Sequence, residues 1–158
     1  MEQDIALLTV RIAKLEFYLL TISSKFAQLD AGGKRIIGFD WQRVGREIEN
    51  CVPFATFDFA NSGFAILRDT APQFLTVTND GNLHWDSDDH PIDSWERLMD
   101  RSFAQLRNNL AHGSKHRPAA PFTHGRTVDF LKAGHAIIDF VARSVLRKPD
   151  WEKPLGYW

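Results

Sequence analysis

A single cysteine, Cys51, among 158 residues excludes an internal disulfide and suits a reducing compartment. It falls on an apolar position between Ile48 and Ala55, so packing is its expected role. No apolar run approaches the ~20 residues that a bilayer span requires. The most apolar segment, Phe17 to Ile22, follows Arg11, Lys14 and Glu16, which fits neither a signal peptide nor a membrane helix, and a soluble, cytoplasmic protein is expected. Neither sign of charge dominates, since the formal net charge is −1; a protein basic over its whole surface is excluded. Internal repeats and low-complexity tracts are absent. The Gly32-Gly33-Lys34 turn lacks both the Walker spacing and a Ser/Thr after the lysine, which excludes a phosphate loop.

What is present is enough chain for one domain, residues 1–158, able to bury about 70% of its unfolded surface without covalent staples. Its charge is unevenly placed. Residues 80–100 hold Asp80, Asp86, Asp88, Asp89, Asp93, Glu96 and Asp100 against Arg97 alone. Residues 101–128 hold Arg101, Arg107, Lys115, Arg117 and Arg126, with His112, His116 and His124 and no acid. A local basic field of this kind is what a polyanion senses, whatever the net charge.

Hydrophobic spacing predicts long helices. From Glu2 to Leu29, Ile5, Leu8, Ile12, Leu15, Leu19, Ile22, Phe26 and Leu29 recur at steps of three and four. Leu7, Val10, Phe17, Tyr18 and Leu20 widen that stripe, as in a helix covered on more than one side, by its own bundle or by a second subunit. Asp40 caps a second helix with Trp41, Val44, Ile48, Cys51 and Ala55 on one face, ended by Pro53. Phe74 to Thr78, with Asn79-Asp80-Gly81 behind it, predicts a β-hairpin closing on Leu83 and Trp85. His84, Asp86, Asp88, Asp89 and His90 are of metal-ligating types, but without the rest of a calcium-loop pattern they read as an acidic loop leading to an Asp93-x-x-Glu96 capping box. A third helix carries Trp95, Leu98, Met99, Ser102, Leu106 and Leu110. A fourth runs from His124 to Arg147, with His135 in its apolar stripe as a hydrogen-bonded core residue. The expected fold is all-α, an up-and-down bundle of four to five helices with a small β-hairpin insert near residues 74–85.

The third helix closes on Arg107-Asn108-Asn109-Leu110-Ala111-His112-Gly113. Gly113 suits the residue just past a helix end. Asn108 and His112, four apart, share a helical face, so the amide is placed to orient the imidazole. A permanently charged arginine beside a histidine that titrates near neutrality suits phosphate esters, one clamping the anion while the other moves a proton. The same two residues also complement the dipole at a helix C-terminus without any chemistry.

The Arg107-x4-His112 spacing near the end of a bundle helix resembles the Rx4-6H motif of the HEPN superfamily, and the string Leu106-Arg107-Asn108 to Ala111-His112-Gly113 is similar to prokaryotic members from plasmid and defence loci. That resemblance implies a homodimer with facing motifs and a metal-independent endoribonuclease of toxin or abortive-infection type. Arg107, His112 and Asn108 would then be the catalytic set, with no cofactor and no metal. Lys115, His116, Arg117 and Arg126 would contact RNA, and Glu47 or Glu49 is a candidate supporting acid. The alternative is a catalytically silent bundle that binds RNA or regulates a partner. A third reading is a metal hydrolase on the His84 to His90 stretch. Gly113-Ser114 stand where toxins modified by nucleotidyltransferase antitoxins carry a tyrosine, so control by that modification is not implied. If Lys115, Arg117 and Arg126 meet phosphates, each alanine variant will weaken RNA binding irrespective of base sequence and lower the salt slope by about one contact; filter binding at several salt concentrations measures both.

Overall fold

A computed structural model describes residues 2–87, 89–111 and 124–152 of the chain. The first helix, α1 (Glu2–Ile22), buries Leu8, Ile12, Leu15 and Leu19, four positions of the expected seam. It stops seven residues earlier than the apolar spacing predicts. Ser23 is the cause: its hydroxyl accepts from the Lys25 N–H at 3.3 Å and opens a single 3-10 turn, Ser24–Phe26, the local bonding by which serine competes with helix.

The chain then forms a ribbon. Strands β1 (Ala27–Leu29) and β2 (Ile36–Phe39) pair antiparallel, with an irregularity between Gln28 and Leu29. Asp30 builds the connecting loop, one carboxylate oxygen accepting from the backbone N–H of Lys34 at 3.0 Å and of Arg35 at 3.1 Å. Those backbone bonds hold the Asp30 carboxyl below its ordinary pKa. Phe26 and Phe39 stack with centroids 6.3 Å apart, fastening the ribbon's base to the core.

Helix α2 (Trp41–Cys51) starts where expected, with the Asp40 carboxylate accepting from the Arg43 N–H at 2.8 Å. Cys51, expected to pack inside, is exposed on the last turn. The next stretch supplies phenylalanines to a cluster around Trp95: the rings of Phe54, Phe57, Phe59 and Phe140 lie 5.3, 5.0, 5.4 and 5.2 Å from it. A short helix, α3 (Ala65–Asp69), leads to a hairpin of β3 (Phe74–Val77) and β4 (Leu83–Asp86), in register from Phe74 opposite Asp86 to Val77 opposite Leu83.

One helical run follows in three pieces: α4 (Trp95–Arg97), a π-helical stretch (Leu98–Phe103) and α5 (Ala104–Ala111). Its cap is Ser94, whose hydroxyl accepts from the Arg97 N–H at 3.3 Å; Asp93, expected in a capping box with Glu96, pairs with the Arg97 guanidinium at 3.1 Å instead. The wide turn faces both Ser102 and Phe103 inward, and the Ser102 hydroxyl donates to the Leu67 carbonyl at 2.6 Å. Helix α6 (His124–Ser144) lies against α1 and α3 through Phe130, Leu131, Ile137, Ile138 and Val141.

The architecture corrects the all-α expectation. Helix dominates at 61% against 11% strand, but two small antiparallel sheets make the fold mixed, and the β1–β2 ribbon occupies residues that the heptad pattern had assigned to α1 and a turn. Among the described residues no helix is long and apolar enough to cross a membrane.

Helix α2 crosses the start of α4 at backbone contact. A Cβ on Gly45 would stand 2.5 Å from Glu96 Cα and 2.6 Å from Glu96 N, where only backbone is available to yield. Gly45→Ala should therefore cost about 1–3 kcal/mol despite the better helix propensity of alanine, a fall in melting temperature of roughly 2–4 °C per kcal/mol for a domain of this size. A thermal melt followed by circular dichroism checks it.

Candidate functional site

Glu16 stands on α1 one turn after the buried Ile12 and keeps only 14% of its side chain exposed. A carboxylate held that far from water needs a cation or donors. Arg107, on α5, supplies them: its Nε lies 3.2 Å from Glu16 Oε1 and its Nη2 donates to Oε2 at 3.4 Å. Oε1 has the charge contact but no aligned hydrogen bond, so the pair is long and loosely made. The third guanidinium nitrogen, Nη1, donates to Asn108 Oδ1 at 3.2 Å. Arg107 itself is 40% exposed.

This pair forms the end of a groove of about 360 Å³. Asn108 and Asp100 line its helical wall, Gln28, Gly38 and Phe39 come from the ribbon, and Trp41 lies between them. A narrower recess of about 80 Å³, between Thr9, Ile12, Ala13 and Ala111, shares the same Glu16–Arg107 pair. The Phe39 and Trp41 rings meet at 4.6 Å, and Trp41 meets Phe103 edge-on at 4.9 Å, so the groove's aromatic side is held by an unbroken ring contact into the core.

Of the residues expected at the site, Arg107 and Asn108 come together on this groove. His112 lies outside the described residues, as do Lys115, His116 and Arg117. Asn108, expected to orient His112, accepts from Arg107. Its neighbour Asn109 is buried and structural: Nδ2 donates to the Gln73 carbonyl at 2.8 Å and Oδ1 accepts from Gln105 at 2.8 Å. Arg126 places its guanidinium 5.5 Å over the Phe130 ring. Neither candidate supporting acid reaches Arg107. Glu47 pairs with Lys25 at 3.0 Å and Arg43 at 3.2 Å, and Glu49 accepts from the Phe54 N–H. Glu16 takes that place, and the signal for it was an acid one turn from Ile12 on the packed face of α1. Among the described residues no group of three or more His, Cys, Asp or Glu side chains is arranged to hold a metal, the His84 to His90 stretch included except for Asp88, which is outside them.

A second charged cluster ties α1 to α6 and the segment after it. Arg11, 11% exposed, donates to Asp139 at 2.6 Å and to Glu152 at 2.6 and 3.0 Å. Burial opposes its charge, but the hydrogen bonds to Glu152 and Asp139 outweigh that and raise its pKa. Arg11 Nη1 also meets His135 Nδ1 at 2.8 Å. Arginine can only donate, so Nδ1 is the acceptor and the imidazole proton sits on Nε2. Burial first, then the Arg11 charge, lowers the His135 pKa against the opposing pull of Asp139, Asp4 and Glu152.

No family model, curated protein or solved structure matches this chain.

The lowered His135 pKa sets a pH dependence of stability. As pH falls, the unfolded chain takes up this proton first, near the ordinary value of 6.5, so stability drops from there toward the lower folded pKa and is flat in this term above it. His135→Gln keeps an acceptor for Arg11 but cannot titrate. Melting temperatures between about pH 8 and pH 5 should therefore fall more steeply for wild type than for the variant, the curves separating below about pH 6.5; parallel curves would mean that His135 carries no linkage.

Proposed function

We propose that this chain is a HEPN-type, metal-independent endoribonuclease of toxin or phage-defence type, cytoplasmic and active as a homodimer. The observation that carries the reading is the placement of Arg107: the motif arginine stands on an open groove, 40% exposed, with its plane held from behind by Glu16. Ala111, on the recess beside Arg107, immediately precedes His112 in the chain. In this mechanism His112 takes the proton from an RNA 2′-OH, whose oxygen attacks the adjacent phosphorus. A 2′,3′-cyclic phosphate forms as the P–O5′ bond breaks. Arg107 stabilises charge on the non-bridging oxygens, and each role is worth on the order of 10²-fold or more.

The leaving 5′-oxygen needs a proton while His112 is accepting one, so one imidazole cannot serve both ends of the reaction at once. His112 of a second copy supplies the acid in a two-fold dimer. Apolar surface near the groove supports association there: Ile37, on the groove, and Ile36 beside it are 67% and 60% exposed. The stripe of Leu7, Val10 and Phe17 on α1 is exposed as well, but it lies opposite the buried seam.

A silent RNA-binding or regulatory bundle is the second reading, favoured by one fact: two of the three guanidinium nitrogens of Arg107 already face Glu16. The test separates the two. Purified protein should cleave RNA in EDTA, and Arg107→Ala or His112→Ala should reduce the rate at least 10²-fold. RNA binding without cleavage in the wild type would leave the silent module standing; activity that EDTA abolishes and added metal restores would remove both. Mixing His112→Ala chains with wild type should give heterodimers well below half the wild-type rate, whereas a half rate would mean that each protomer works alone.

A further inference from the structure

The groove between the β1–β2 ribbon and α5 is built for more than a phosphate. Its charged groups are Arg107, Glu16 and Asp100, one cation against two carboxylates, with Arg107 and Glu16 paired to each other at one end. A second phosphate would be repelled from the far end, where Asp100 stands. The remaining lining is of the kind that meets a nucleobase: the aromatic Phe39 and Trp41, and the side-chain amides of Gln28 and Asn108. Phe39 is half-buried and backed by Phe26 at 6.3 Å and Trp41 at 4.6 Å, so the aromatic side is preorganised.

We infer that this groove is a base-specificity pocket: it takes one unpaired nucleobase carrying an exocyclic amine, next to the phosphate met by Arg107, with the Asp100 carboxylate accepting the amine hydrogen bond. This deepens the ribonuclease reading and rests on it for the placement of the phosphate. Unpaired bases are recognised by aromatic contact together with hydrogen bonds to their edges, and a carboxylate accepts from cytosine N4. Gln42 Nε2 donates to Asp100 Oδ2 at 3.0 Å, which orients the carboxylate. Uracil presents a carbonyl oxygen where cytosine presents N4, so against Asp100 it sets two acceptors face to face. The room for a base comes from Gly38. A Cβ there would stand 2.6 Å from Gln28 Oε1, so the Gln28 side chain lies folded across the glycine. A larger residue at 38 would displace Gln28 from that position. The volume of about 360 Å³ is at the small end of ligand pockets, which run roughly 300–1,000 Å³, and suits a single base better than a folded RNA element.

The experiment uses the full chain carrying His112→Ala, which blocks cleavage, and fluorescently labelled single-stranded ten-residue oligocytidine and oligouridine. Anisotropy should show cytidine bound about tenfold more tightly, the order of discrimination expected of a base-edge hydrogen bond. Asp100→Asn should bring that ratio close to one while leaving uridine affinity equal or better. Gly38→Val should weaken the cytidine oligomer about tenfold, with circular dichroism confirming that both variants are folded. Equal affinity for the two oligomers, or a ratio unmoved by Asp100→Asn, overturns the pocket while the ribonuclease reading stands. Failure of either oligomer to bind, together with no cleavage of any RNA by wild type, overturns that reading and the pocket with it.

Discussion

The hydrogen bond from the Trp95 indole to the Val52 carbonyl, 2.7 Å long, joins the first half of the chain to the second. Val52 caps α2, and the last carbonyls of a helix have no partner of their own. Trp95 is fully buried, and an indole N–H left unpaired there would cost about 1–3 kcal/mol. One bond satisfies both groups, and the surrounding phenylalanines exclude the water that would compete for either. It also sets where the end of α2 rests on the start of α4, a few residues from the glycine that lets the two backbones touch. The far end of α2 is then fixed too, and with it Trp41, whose ring joins the groove to Phe103.

The groove depends on two elements that the sequence pattern disclosed unequally. The apolar seam of α1, the cap at Asp40, the turn at Asn79-Asp80-Gly81 and the inward positions from Trp95 to Leu110 all follow from side-chain type and spacing, and the structure has them where periodicity places them. The β1–β2 ribbon did not follow. Ile22, Phe26 and Leu29 continue the three-four spacing by coincidence, and the period alone does not register that Ser23 ends the helix. The π-helical stretch was equally hidden. An extra residue in one turn shifts everything beyond it by about 100° against a regular wheel, so the face on which Arg107 emerges could not be read by counting from Trp95. That is why Glu47 and Glu49 were plausible partners on paper and Glu16 is the partner in space.

The Glu16–Arg107 pair is a compromise between holding and releasing. A tighter bidentate pair would immobilise the guanidinium and leave its charge largely neutralised. A lone arginine on the groove would be free to choose among rotamers, losing side-chain entropy whenever it bound an anion. The long contacts of 3.2 and 3.4 Å fall between these cases, restraining the plane while leaving much of the charge for another ligand. Asn108, accepting from Nη1, restrains the same plane from the other side.

A ribbon of only two strands leaves each strand with one unpaired edge. Such edges are templates on which other chains add strands, the first step toward fibrillar aggregation. Here the exposed Leu29, Ile36 and Ile37 make the hazard greater. Three features work against it: the strands are three and four residues long, the irregularity between Gln28 and Leu29 breaks their hydrogen-bond repeat, and Lys34 and Arg35 in the loop put like charges wherever two ribbons would align. The ribbon can therefore offer its side chains to a neighbour while denying it a long backbone ladder, which separates controlled pairing from runaway polymerisation.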